Sequence, residues 1–259
     1  MNITQMRMQI SDIIVTDEGK TAGVYRMNRQ ERWEQMSDTF RLGAVLAMAG
    51  GFMDAYSYIL RDQVFANAQT GNMLLLGVAL SQGDYMLALR YFFPVMSFAI
   101  GISIAEFIRY FSQKQIRNER EIILHWRQKA VLVEIVFLFT VSFLPLSVNV
   151  IANCLTSLGC GIQVQSFRKI HGNASATTMC IGNLRSATQH MCSFITTRKK
   201  SSFRKSILYF GIIGCFMIGA ILGNICIGFF RERAILFCIF LLIIAFGLMF
   251  MEQVHSIEI

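Results

Sequence analysis

Apolar residues are concentrated in six long runs along the chain. Each run is close to the roughly 20 residues that a helix needs to cross a hydrocarbon core about 30 Å thick. The pattern therefore predicts an all-α membrane protein with six transmembrane helices. The runs lie near 41–60, 91–111, 130–150, 152–168, 206–230 and 234–251.

Two shorter segments, near 65–80 and 174–192, interrupt this series. The first, FANAQTGNMLLLGVAL, has sixteen residues, and the polar side chains lie in its first half. Because polar groups without partners are costly in hydrocarbon, each short segment either crosses the bilayer or enters it and turns back. The polar residues of the first segment include Asn67, Gln69, Thr70 and Asn72.

The composition agrees with a multi-pass membrane protein. Of the 259 residues, 54% are hydrophobic and 15% are charged, and the mean hydropathy is +0.49. Residues 1–40 are polar and lack the apolar region of a secretory signal peptide. We interpret them as a cytoplasmic arm, which either lies on the membrane surface or is partly disordered.

Lysine and arginine positions predict the orientation. If both short segments cross, these residues divide almost evenly, 12 inside and 10 outside, whereas if neither crosses they divide 18 inside and 4 outside. Short cytoplasmic loops carry an excess of Lys and Arg, so the second arrangement is favoured. Both segments are then re-entrant or broken helices, and the N-terminus is cytoplasmic.

The two short segments belong to an internal repeat. Ser57 aligns with Ser166 and Asp54 with Gln163, and after a two-residue insertion the Gly71-Asn72 pair aligns with Gly182-Asn183. With three long spans in each half, the halves must be inverted relative to each other. The predicted regions are a 1–40 arm, a first repeat at 41–150, a second repeat at 151–252 and a 253–259 tail. Inverted repeats with interrupted helices are typical of secondary transporters.

These motifs also resemble a known family. The stretch AGGFMDAYSYILRDQVFANAQTGNMLLLGVAL is similar to the first signature of the YoaK-like bacterial membrane proteins (domain of unknown function 1275), and GIQVQSFRKIHGNASATTMCIGNLRSAT is similar to their second. The sequence departs from the family at Ile181-Gly182-Asn183 and at Lys169. The resemblance implies a protein of the bacterial cytoplasmic (inner) membrane without an assigned activity. Its motif positions are Gly51, Asp54, Ala55, Phe65, Thr70, Gly71, Asn72, Gly161, Gln163, Arg168, Thr177, Thr178 and Gly182.

The polar residues of the repeat are the candidate solute-binding residues. Asp54 lies within the first span, where a carboxylate indicates an ion or proton role, although a hydrogen-bonded structural acid is the alternative. Arg185 could bind an anion, neutralise Asp54 or extend to the membrane surface. The candidate set is Asp54, Ser57, Asn67, Thr70, Gly71, Asn72, Gln163, Ser166, Thr177, Thr178, Gly182, Asn183 and Arg185.

Two further acids have a simpler interpretation. We expect Glu106 and Glu134 to lie near the cytoplasmic ends of their spans in interfacial ion pairs, with Arg109 as the partner of Glu106.

The sequence thus favours a secondary transporter of a small solute, with Asp54 as the candidate proton-coupling group. We expect no enzymatic activity, cofactor, metal or nucleic-acid partner, because the chain lacks the corresponding motifs. Membrane lipids are the expected surroundings, and assembly into a homo-oligomer stays open. The alternative function is a non-transporting scaffold or sensor that binds lipid or a partner protein.

Overall fold

The computed structural model describes residues 39–117, 124–170, 173–174 and 180–255, and it is built almost entirely of helices. A two-residue antiparallel pair, Lys169–Ile170 with Asn173–Ala174, is the exception among the described residues. In chain order the helices are α1 Phe40–Leu60, α2 Gln69–Ser81, α3 Tyr85–Arg117, α4 Trp126–Val141, α5 Asn149–Ser166, α6 Cys180–Thr197, α7 Lys200–Phe230 and α8 Ile235–His255, with short 3₁₀ turns at Leu146–Val148 and Arg231–Ala234.

The helices follow the predicted order, including the two short segments. Four stretches of the described chain are long and apolar enough to cross a membrane, and the last contains both α7 and α8. Helix α4 has only 16 residues, because Pro145 starts a 3₁₀ turn and cannot donate to a continuing helix. The six-span arrangement therefore stays a prediction. The four stretches are Phe40–Leu60, Tyr85–Lys114, Leu146–Ser166 and Lys200–Met251.

Apolar side chains cover the outer surface, whereas polar side chains lie inside. Leu74 is 68% exposed and Phe229 79%, while Asn72 and Gln163 are fully buried. Large exposed apolar surfaces are unfavourable in water, and helix packing within lipid uses polar groups in the interior. The fold is that of a helical membrane protein.

Helices α1 and α7 form the first of two close contacts, which we name the first glycine crossing. A Cβ atom on Gly51 would lie 1.9 Å from the carbonyl oxygen of Phe216, and one on Gly219 would lie 2.0 Å from the carbonyl oxygen of Met48. Since no side chain fits at either position, only glycine permits this approach of the two backbones.

Helices α3 and α5 form the second glycine crossing. A Cβ on Gly101 would lie 2.1 Å from the carbonyl oxygen of Leu158, and one on Gly161 would lie 2.2 Å from that of Phe98. Around these two crossings, α2 packs on α3 and α6 on α7, while α8 packs on α1 and α4 packs on α5. Most of the helix packing therefore joins the first half of the chain to the second.

Candidate functional site: the helix break and the buried carboxylates

Helix α1 ends at Leu60, and the chain returns into the protein before α2 begins. Asp62 and Gln63 have φ angles of 63° and 57°, in the left-handed region that non-glycine residues seldom adopt. Asp54 binds the backbone of this connection, because its Oδ1 accepts hydrogen bonds from the amide of Asn67 at 2.7 Å and from the amide of Ala68 at 3.4 Å. The carboxylate of Asp54 thus satisfies backbone donors at the entrance to α2.

Asn72 fixes the same break from the side of α2. Its Oδ1 accepts from the Phe65 amide at 2.9 Å, and its Nδ2 donates to the Phe65 carbonyl at 2.7 Å and to Gln69 Oε1 at 2.9 Å. Gly71 lies under the Phe65 ring, where a Cβ would be 2.8 Å from the ring carbons. The Phe65, Gly71 and Asn72 positions of the motif therefore form one structural unit.

Other polar residues of the first motif also bind the chain's own backbone. Asn67 Nδ2 donates to the Gly50 carbonyl at 3.1 Å, and Ser57 Oγ donates to the Asp54 carbonyl at 3.3 Å. The Asn67 Oδ1 atom has no hydrogen-bond partner among the described residues.

The second motif contributes residues from α5 and α6. Gln163 Nε2 donates to the Leu46 carbonyl at 3.0 Å, which is two helical turns along α1 from Asp54. Gln163 Oε1 and Ser166 Oγ are buried without a hydrogen-bond partner in the described part of the chain. Asn183 is 2% exposed. The structure thus brings Asp54, Ser57, Asn67 and Asn72 together at the break and holds Gln163 at a different level of α1.

Some candidate residues lie elsewhere. Thr70, Gly182 and Arg185 are exposed, so Arg185 does not reach the buried carboxylate of Asp54. Thr177 and Thr178 lie outside the described residues.

Arg61, which the sequence analysis did not select, is fully buried at the end of α1. Its carbonyl acceptors lie at the end of α4 and in the turn that follows it, and at a helix end carbonyls lack intrahelical partners and the dipole favours a cation. Its own carbonyl accepts from Asn153 Nδ2 at 2.7 Å. The guanidinium donates to the Tyr56 hydroxyl, to the carbonyls of Val141, Leu144 and Pro145, and to Asn149 Oδ1, at 2.8–3.4 Å.

The two remaining acids of the prediction differ from each other. Glu106 lies 3.8 Å from Arg109 and also bonds to Gln165, as an interfacial pair should. Glu134 was expected in a similar pair, and this expectation is wrong. It is fully buried, and neither carboxylate oxygen has a hydrogen-bond partner among the described residues.

Glu134 lies against α5 and α8. A Cβ on Gly159 would be 3.3 Å from Glu134 Cγ, and the thiols of Cys160 and Cys238 are within electrostatic reach of the Glu134 carboxylate. The signal that could have identified Glu134 is its spacing. Val131, Leu138 and Val141, which share its helix face, are each fully buried.

Comparisons with known proteins agree with a helical membrane protein. The family described as "Protein of unknown function (DUF1275)" matches residues 42–248. The chain is 24% identical over 191 residues to the UPF0700 transmembrane protein YoaK of Bacillus subtilis (strain 168), a match that covers 69% of this chain and 80% of YoaK. No solved structure matches the chain.

Proposed function

The chain belongs to the DUF1275 family of proteins of unknown function, and we propose that it is a secondary transporter of a small solute in the bacterial cytoplasmic membrane. The observation that carries the proposal is the correspondence between the two halves of the structure. Transporters with inverted repeats bind their solute near the midplane, where interrupted helices from the two halves meet.

The two glycine crossings support an inverted repeat. In each crossing, a glycine lies three positions after the residue whose carbonyl contacts the partner glycine, on both helices. Exchanging α1 with α5 and α7 with α3 therefore carries one crossing onto the other. The helix contacts follow the same exchange, because α8 packs on α1 as α4 packs on α5.

This correspondence revises the alignment between the halves by one residue. It sets Gly51 opposite Gly161, so Gln163 lies opposite Met53 rather than opposite Asp54. Asp54 is then a feature of the first half alone, which agrees with its contacts to the break between α1 and α2.

The short helices support the same proposal. Asn72 is the fourth residue of α2 and Asn183 the fourth residue of α6, and both are buried. A helix that starts within the protein directs its first amide groups into the interior, where they attract polar or anionic groups. We propose that the start of α2 and the buried Asn183 of α6, with Asn67 and Gln163, contact the solute.

The arrangement corresponds to a closed state of such a transporter. Asp54, Asn67, Asn72 and Gln163 are each at most 8% exposed, so solute entry requires the helices to separate. A scaffold without transport is the second candidate function, because Asp54 and Asn72 bind the chain's own backbone.

Access to the interior from both sides of the membrane tests the proposal. Cys160 is fully buried and lies beside Met53, with the two sulfur atoms 3.6 Å apart. In a variant that keeps Cys160 as its sole cysteine, we expect slow reaction with an impermeant thiol reagent in both right-side-out and inside-out vesicles. The matched control keeps only the exposed Cys192, which should react from one side alone.

Protection of Cys160 from both sides, with normal labelling of Cys192, would favour the scaffold. If Cys160 reacts from both sides instead, a thermal-shift screen of small solutes on the purified protein identifies the ligand, because a compound that binds only the folded state stabilises it.

A further inference from the structure

Glu134 differs from Asp54 and Arg61, the buried charged groups of the first motif. Asp54 accepts from backbone amides and Arg61 donates to carbonyl and hydroxyl oxygens. Glu134 is as deeply buried, yet both of its oxygens lack a hydrogen-bond partner in the described part of the chain. A structural acid is expected to have partners, so the packing of α4 does not explain this one.

The surroundings of Glu134 offer little compensation for a negative charge. On α5 the Glu134 side chain lies against Gly159, and the thiols of Cys160 on α5 and Cys238 on α8, both fully buried, are close enough to interact electrostatically with its carboxylate. From α3, Glu106 and Arg109 pair with each other at 3.8 Å and remain partly exposed. On α1, the Asp54 carboxylate already accepts a hydrogen bond from the Asn67 amide at the entrance to α2.

Burial without a partner favours the neutral form of a carboxylic acid. An ionised carboxylate that loses its water and gains neither a cation nor donors is destabilised by several kcal/mol. Burial of this kind favours the protonated form of Glu134 in this closed arrangement, and release of the proton requires water to reach the contact between α4, α5 and α8. Ionisation of Glu134 and opening of this contact are linked for that reason.

We propose that Glu134 is the group that binds and releases the coupling proton during transport. The inference rests on the proposed transporter function and replaces Asp54 in the coupling role. On one side of the membrane, a carboxylate oxygen of Glu134 takes a proton from water and the site closes. On the other side the same O–H bond breaks, the proton passes to water, and the carboxylate is regenerated.

Infrared spectroscopy tests the titration directly, with protons as the only ligand. Purified protein in lipid is titrated with base, and the band of buried protonated carboxylic acid is followed. We expect the band to decrease reversibly as the pH rises in the parent and to be missing in Glu134→Gln. In the matched control Glu106→Gln, which changes a partly exposed acid, the band should behave as in the parent.

A second readout separates a coupling group from a structural acid. Alkylation of Cys160 and Cys238, normalised to the exposed Cys192 in the same sample, reports on opening beside Glu134. We expect the normalised rate in the parent to rise by roughly tenfold per pH unit in the titration range. In Glu134→Gln, which resembles the protonated form, it should stay at the slow rate at every pH below about 8, where the thiolate fractions of buried and exposed cysteines rise in parallel.

The inference is overturned if the acid band persists in Glu134→Gln, or if alkylation in that variant keeps the parent's pH dependence. If Glu134→Gln fails to fold, Glu134→Asp retains a titratable group, and its band should respond to pH. Two-sided labelling of Cys160 at constant pH tests transport separately, so a failure of the coupling proposal is distinguishable from a failure of the transporter proposal.

Discussion

Replacing Asn72 by alanine should destabilise the folded protein even when no solute is present. The amide side chain of Asn72 makes three hydrogen bonds of 2.7–2.9 Å, two of them to the backbone of Phe65. Alanine removes all three and leaves the Phe65 N–H and C=O groups without these partners at the turn into α2. The substitution therefore destabilises the connection between α1 and α2, whether or not it also weakens the binding of a ligand.

The magnitude follows from the number of groups left without partners. Each such group costs about 1–3 kcal/mol, and since Phe65 is only partly buried the lower part of this range applies. Three groups give a loss of about 3–4 kcal/mol in the free energy of unfolding. For a protein of this size, the loss corresponds to a decrease of roughly 6–16 °C in the melting temperature.

Thermal unfolding of purified protein in one detergent, followed by tryptophan fluorescence, measures this change. Asn72→Asp keeps an acceptor for the Phe65 amide but loses both donors, so its melting temperature should lie below that of the parent. The control is Ser81→Ala on the same helix, which removes one exposed hydrogen bond to Val78. If Asn72→Ala melts within about 2 °C of Ser81→Ala, the structural role assigned to Asn72 is incorrect.

Two further predictions concern packing and pH. Gly219→Ala should lower the melting temperature, because the new methyl group would lie 2.0 Å from the Met48 carbonyl oxygen, whereas Gly214→Ala, which meets nothing within 4 Å, should be neutral or stabilising. At the start of α4, burial and then the charges of Arg127 and Lys129 lower the pKa of His125 to about 3. Since the unfolded state then binds more protons, stability should fall as the pH decreases from about 6.5 towards 3, by at most about 1.4 kcal/mol per pH unit. Parallel melting curves of the parent and His125→Asn measure this dependence, and equal slopes for both would contradict it.

Apolar run length predicted the order of the helices well, because hydrocarbon thickness fixes how many apolar residues a span needs. Boundaries were less predictable where a single residue decides them. The run near 130–150 suggested one helix, yet α4 ends at Val141, and Pro145 then starts a separate 3₁₀ turn.

The role of the candidate residues in solute binding stays a prediction, and their contacts were only partly predictable. Asp54 and Asn72, selected as solute-binding candidates, are both at most 8% exposed. Their partners are backbone groups of the 61–68 connection, and the path of that connection depends on the tertiary fold. A residue pattern carries no direct signal for such partners.

Arg61 and Glu134 show why charge is hard to assign from sequence. Arg61 was counted with the outer charges because it follows a span, but it is fully buried. Its carbonyl acceptors are distant in sequence, and they come close to Arg61 only in the folded protein. Glu134 was expected in an interfacial ion pair because its span was expected to end nearby on the cytoplasmic side. Its position on a face of fully buried residues was the better guide, because helix periodicity determines which neighbours a side chain meets.

The packing of α1 on α7 has a consequence for synthesis of the chain. The glycine face of α1 is complete once Leu60 has been made, but its partner α7 ends at Phe230. At about 5–20 residues per second, the ribosome needs roughly 10–30 s to make the segment between them. During that interval α1 resides in the bilayer without the neighbour that Gly51 fits, so the nascent protein passes through a stage in which α1 lacks its main packing partner.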